Sequence, residues 1–215
     1  MTLRVSNTTT RLIVTLLLLT AGGSSARAET VRNIFFAEAP ARLVRIYGAP
    51  VYQRIPQTAL ERIVNTNALI VRDAASVHYL KALDGWMESY GLMGDWSVSG
   101  VSPFGEKKKI ERAMVASTAD RLEGGSLDHD APSVFIATQP AALIVTDGAP
   151  VWKPVPGTSL QYLGNTRAKV FREPTDEELY VRVGGDWYRA WTTDGPWQII
   201  AMNQLPADIA KQIAR

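Results

Sequence analysis

The chain has no cysteine. That excludes disulfides, thiolate chemistry and a lipid-anchored N-terminal cysteine. An exported protein does not need disulfides when its core is large enough to hold the fold. Histidine is nearly absent too, with only His78 and His129. The sequence has no G-x-S-x-G elbow, no H-E-x-x-H helix, no phosphate-binding P-loop and no G-x-G-x-x-G between a strand and a helix. His78 sits in a strand-like segment beside Tyr79 and reads as a strand histidine. His129 lies between Asp128 and Asp130 in a loop, and side chains adjacent in sequence seldom converge on one metal ion. The acidic run Thr175-Asp176-Glu177-Glu178 lacks the glycine and the spaced acids of a calcium loop, so it reads as a solvated hairpin tip. Paired carboxylates for glycoside hydrolysis would come from distant positions, and no particular pair stands out. The expectation is a non-enzyme with no cofactor and no metal.

Long apolar runs are also scarce. The one near the N-terminus, Leu12 to Gly22, is about half the roughly 20 residues of a membrane span. It follows Arg4 and Arg11 and precedes Ala26-Arg27-Ala28. Positive start, short apolar run and A-x-A site together read as a secretory signal peptide over 1–28, with a mature start near Glu29. The expected location is the periplasm or the exterior, with no integral membrane segment after cleavage. The signal carries three arginines and no acid. Its removal lowers Lys+Arg from 23 to 20 against 21 Asp+Glu, and the net charge from +2 to about −1. A nucleic-acid partner would want a basic face, and Lys107-Lys108-Lys109 alone reads as a solvated helix start.

What the chain does have is itself twice. Shifted by 100, the segment from Ser133 lies over the segment from Asn33. Pro40 meets Pro140, and Gly48-Ala49-Pro50-Val51 meets Gly148-Ala149-Pro150-Val151. Pro56, Thr58 and Leu60 meet Pro156, Thr158 and Leu160; Asn65-Thr66 meets Asn165-Thr166; Arg72 meets Arg172. After a one-residue insertion, Tyr79, Trp86, Gly94 and Trp96 meet Tyr180, Trp187, Gly195 and Trp197. Such a match defines two repeats, over 33–100 and 133–201.

Each repeat is dense in strand and turn signals. Leu143-Ile144-Val145 stops at Asp147-Gly148. Pro154, Pro156 and Gly157 confine any strand there to an edge. Leu160–Leu163 and Val170-Phe171 flank Asn165-Thr166. Glu178–Val183 alternates up to Gly184-Gly185, a two-residue hairpin signal. Trp187–Trp191 returns from it, and Trp197–Ile200 closes the unit after Asp194-Gly195-Pro196. Five or six strands in fewer than 70 residues predict a mainly β fold of two small antiparallel units, open or curled into barrels. Each buries little alone, so the two are expected to pack together about a pseudo-twofold axis. Residues 101–132 read as a connector, helical over Glu106–Leu122 with a loop over 124–132. The tail, 202–215, reads as a short helix.

The second repeat resembles repeats of large bacterial envelope or secreted proteins. The matching segments are PAALIVTDGAP (140–150), PVPGTSLQY (154–162), NT (165–166), ELYVRVGGDWYRA (178–190), DGPW (194–197) and QLPADIAK (204–211). Proteins with such repeats are in some cases identified as carbohydrate-binding of family V/XII type. The resemblance implies an exported β-repeat protein and carries no catalytic residues. The first repeat departs from it, with WMES at 86–89 and GDW at 94–96.

The stretch Trp187 to Trp197 (WYRAWTTDGPW) concentrates the aromatics. Its counterpart in the first repeat keeps a tryptophan at each end while the middle changes. Trp86, Trp96, Trp187 and Trp197 are therefore expected to frame the β units. Tyr188, Arg189, Trp191 and Tyr90 are the candidate ligand contacts, since flat aromatics flanking a charge suit a sugar ring. Strand alternation would place Trp187, Arg189 and Trp191 on one face. The expected function is a non-catalytic binding or adaptor module for a polysaccharide or an envelope component. The alternative is a structural protein that captures a protein partner by pairing along a strand edge.

Overall fold

The computed structural model describes residues 33–100, 125–175 and 177–213, apart from the side chains of residues 129, 130 and 213. The expected signal peptide, the helix over 106–122 and the side chain of His129 lie outside the described residues. The rest is mainly β, as the turn density and alternation predict.

The first repeat holds eight strands: β1 (Asn33–Ala37), β2 (Ala41–Arg45), β3 (Tyr52–Arg54), β4 (Glu61–Ile63), β5 (Ile70–Arg72), β6 (His78–Ala82), β7 (Gly85–Ser89) and β8 (Ser97–Val98). The one-turn helix α1 (Leu127–Asp130) follows, inside the segment read as a loop. The second repeat runs β9 (Ser133–Ala137), β10 (Ala141–Val145), β11 (Trp152–Pro154), β12 (Gln161–Leu163), β13 (Lys169–Arg172), β14 (Leu179–Val183), β15 (Asp186–Ala190) and β16 (Gln198–Ile200). A short 3-10 turn and helix α2 (Ala207–Ile213) end the described chain.

Strands β3 to β8 form one six-stranded antiparallel meander, and β11 to β16 form the other. Neither closes into a barrel: β3 and β8 stand at the edges of one sheet, β11 and β16 at the edges of the other. The hairpin at Gly184-Gly185 forms as read, with both glycines at positive φ (61° and 100°), which this two-residue turn requires.

The first two strands of each repeat behave differently, and they raise the unit from the five or six strands expected to eight. They do not pair with one another. Strand β1 pairs in parallel with β10, Asn33 opposite Ala141, and β2 pairs in parallel with β9, Ala41 opposite Ser133. Each pairing is the other with the repeats interchanged. Such reciprocity is the mark of a twofold relation.

The exchange carries side chains into the opposite core. Ile34 and Phe36 of β1 pack with Ile144, Leu163, Val170, Val181 and Tyr188 of the second repeat. Val134 and Ile136 of β9 pack with Val44, Ile63, Ile70, Leu80 and Met87 of the first. Burial of side chains this size stabilises by about 1.5–3 kcal/mol each, so each sheet depends on strands from the other repeat. Leu127 of α1 enters the first core as well. Its backbone N–H donates to Asp84 Oδ1 at 2.9 Å, and a Cβ on Gly85 would lie 2.8 Å from its Cδ1. A larger residue at 85 would force the Leu127 side chain to shift.

The second sheet has a further buried face. Trp187, Tyr180, Val155 and Leu160 pack there with Ile200, and Leu205 and Ile209 of the tail cover them. The corresponding face of the first sheet carries Trp86, Tyr79, Leu69 and Val71.

The repeated asparagine and threonine have mechanical roles. Asn165 Nδ2 donates to the carbonyls of Asp147 and Ala149, and its Oδ1 accepts from the N–H of Val151. Asn65 does the same for Tyr47, Ala49 and Val51. Each clamps a loop whose glycine, Gly48 or Gly148, has positive φ. Thr66 and Thr166 donate to the carbonyls of Arg45 and Val145. Thr58 and Thr158 close the turns before Leu60 and Leu160.

Candidate functional site

The four candidate contacts fall in different environments. Strand β15 lies between two cores, so both of its faces are buried. Trp187 is 3% exposed and faces the tail helix, while Tyr188 is 2% exposed and packs among Ile34, Val181 and Leu163. Tyr188 is out of reach of a surface ligand. The one-face arrangement of Trp187, Arg189 and Trp191 does not form, because the strand ends at Ala190 and Trp191 begins the following loop.

Trp191 is 63% exposed. Tyr90, its counterpart in the first repeat, is 84% exposed. Large aromatics left in water carry a hydrophobic cost that burial would remove, so two at the same repeat position make the best surface candidates. Arg189 is half-exposed and its guanidinium lies 3.6 Å from Glu178 Oε1. Glu178 is buried, and its other oxygen accepts from Tyr180 Oη at 2.5 Å. Arg189 thus balances a buried carboxylate, and only its outer part is open to a ligand. In the first repeat Glu88 stands in its place and accepts from Ser99 Oγ at 2.6 Å.

The frame tryptophans divide. Trp86 and Trp187 are buried, whereas Trp96 and Trp197 are half-buried at the rims of the two cores.

A second polar constellation lies on the first sheet. Tyr52 Oη and His78 Nε2 are 2.9 Å apart. The Arg72 guanidinium lies 3.6 Å from the Tyr52 ring centroid and hydrogen bonds Glu61 Oε2. The second repeat keeps the stack, with Arg172 4.5 Å from the Trp152 ring and bonded to Gln161 Oε1. It has Leu179 where His78 stands. Burial depresses the His78 pKa, and the Arg72 charge lowers it further, against smaller raising effects of Asp73 and the Ser76 backbone. Both charges of the Glu61–Arg72 pair are satisfied within the sheet, so the constellation reads as a brace. Among the described residues no group of three or more His, Asp or Glu converges on a possible metal position.

The sequence reading missed one feature. A cleft of about 380 Å³ opens where the repeats exchange strands, lined by Asn33, Phe35, Phe36, Phe135, Asp194 and Trp197 among others. Phe35 and Phe135 hold the same repeat position, and their ring centroids are 5.0 Å apart. Phe36 and Trp197 stack at 5.7 Å with planes 12° apart. The Phe35-Phe36 pair broke the strand alternation and was the available signal, but its meaning depends on a residue 100 positions away. A wider groove, about 840 Å³, runs along β10 beside residues 164–168.

Comparison of the chain with protein-family models, curated proteins and solved structures found no match.

Proposed function

We propose that this chain is an exported, non-catalytic binding module that holds a polysaccharide or another envelope component through exposed aromatic side chains. The supporting observation is the pair Trp191 and Tyr90, one per repeat, both in water and both just past the end of a core strand. A flat ring in this position can stack on the apolar face of a sugar. The outer part of Arg189 supplies a hydrogen-bond donor close in sequence to Trp191. The non-catalytic reading rests on the carboxylates that are already engaged: Glu178 with Tyr180 and Arg189, and Glu61 with Arg72. Export rests on the signal-like residues 1–28.

The test is retention on insoluble chitin, cellulose and peptidoglycan, with Trp191→Ala, Tyr90→Ala and the double variant as controls. Retention of the wild type on at least one polymer, lost in the double variant, is the expected result. Passage of the wild type through all three would remove these ligands from consideration.

One observation favours a second reading, capture of a protein strand. Among the described residues, strand β10 has a strand neighbour on one side only, β1, and the wider groove runs along it. An extended segment could add there through main-chain hydrogen bonds.

A further inference from the structure

We propose that the cleft at the strand exchange is a binding site for an organic ammonium group, separate from the exposed pair Trp191 and Tyr90. Its wall is aromatic and comes from three parts of the chain: Phe35 and Phe36 from β1, Phe135 from β9, and Trp197 after the 193–196 turn. All four rings are half-buried, so the packing that holds them leaves part of each ring toward the cleft. The face of an aromatic ring carries partial negative charge and attracts cations within about 6 Å of its centroid. Asp194 lines the same cleft, is exposed, and forms no ion pair with a described residue. It is the sole ionisable residue among the described lining residues, so within them its charge faces the cleft without a partner. Asn33 adds a neutral polar group to the lining. Rings plus one carboxylate that no described residue pairs complement a positive charge on a partly apolar body. They disfavour an anion, which would meet Asp194 with no cation among the described lining residues to offset it.

The volume, about 380 Å³, is at the small end of ligand pockets. It suits a single head group or sugar ring and not a polymer segment. The interchange of repeats does not reproduce the site. Ile136 stands where Phe36 would be, and Met93 where Asp194 would be. The expected stoichiometry is therefore one per chain.

An ammonium can come from a quaternary head group or from an amino sugar, and the probes separate these. The full chain, labelled with ¹⁵N, is titrated with choline, glucosamine, glucose and glucuronate. The reporter is the indole N–H of Trp197, which donates to the Thr193 carbonyl at 3.3 Å and is assigned by its loss in Trp197→Phe. Saturable shifts with choline, glucosamine or both, and none with glucose or glucuronate, are expected. Asp194→Asn changes an exposed residue and should weaken binding at least fivefold. Phe35→Leu keeps most of the bulk and should weaken it too. Trp191→Ala should leave it unchanged, so this site and the polymer-binding reading stand or fall separately. The proposal is overturned if neither cation shifts the reporter, if glucose shifts it as strongly as glucosamine, or if Asp194→Asn binds as the wild type does.

Discussion

Asn165 shows how a short polar side chain can hold a loop by itself. It makes four hydrogen bonds to the backbone around Gly148, with Asp147, Ala149 and Val151 and, at 3.5 Å, with Gly148 itself. A net bond is worth about 0.5–1.5 kcal/mol, less where water can substitute. Asn165→Ala should therefore cost about 1–2 kcal/mol in urea unfolding, and Asn65→Ala a similar amount. His78 has a pH consequence. Its pKa in the fold lies below the unfolded value of about 6.5. The unfolded chain then binds the extra proton first as pH falls, so stability is full above about pH 7 and declines below about 6.5. His78→Leu, which copies Leu179, should flatten the slope attributable to this residue in urea midpoints measured from pH 7.5 to 5. At this scale the sequence was informative about repeated residues and misleading about Tyr188. The Asn-Thr pairs recur because both loops need the same clamp. Tyr188 looked like a ligand contact because it is an aromatic beside a charge in the part of the stretch that changes between repeats, but β15 has no solvent face.

The element with the largest consequence is β1. It lies in the first repeat by sequence and in the second repeat's core by packing. Ile34→Ala should cost about 2–4 kcal/mol, within the usual range for a core truncation. The loss should show as reduced amide protection in β12 to β15, which contribute Leu163, Val170, Val181 and Tyr188 to its surroundings. Strands β3 to β8 should be affected less. A fold in which each repeat kept its own first strands would give the opposite pattern. The hairpins were legible because their signals are local: Gly184-Gly185 between two alternating runs is enough. The parallel pairs were not. Strands β1 and β10 are five residues each, and nothing in either names a partner 108 positions away.

For the whole molecule the exchange makes separate unfolding of the repeats costly. Opening one sheet removes Ile34 and Phe36, or Val134 and Ile136, from the other. The chain should unfold in a single transition by circular dichroism and by tryptophan fluorescence, with coincident midpoints. A protease site placed within 106–122 and cut in the folded protein should leave the two pieces eluting together from a sizing column at low micromolar concentration. Separation there would mean that the parallel pairs contribute little to holding the repeats. The twofold relation was readable from the self-match, and the manner of joining was not, since tandem repeats and exchanged repeats share one sequence pattern.

The reciprocal register, 33 opposite 141 and 41 opposite 133, is the contact pattern of a homodimer written into one polypeptide. In a true homodimer every substitution appears on both sides of the axis and association depends on concentration. Covalent linkage removes both constraints. The second half is always present at high effective concentration, and either half can change alone. Phe36 opposite Ile136, Asp194 opposite Met93 and His78 opposite Leu179 are differences of that kind: one side can specialise while its twin continues to hold the frame.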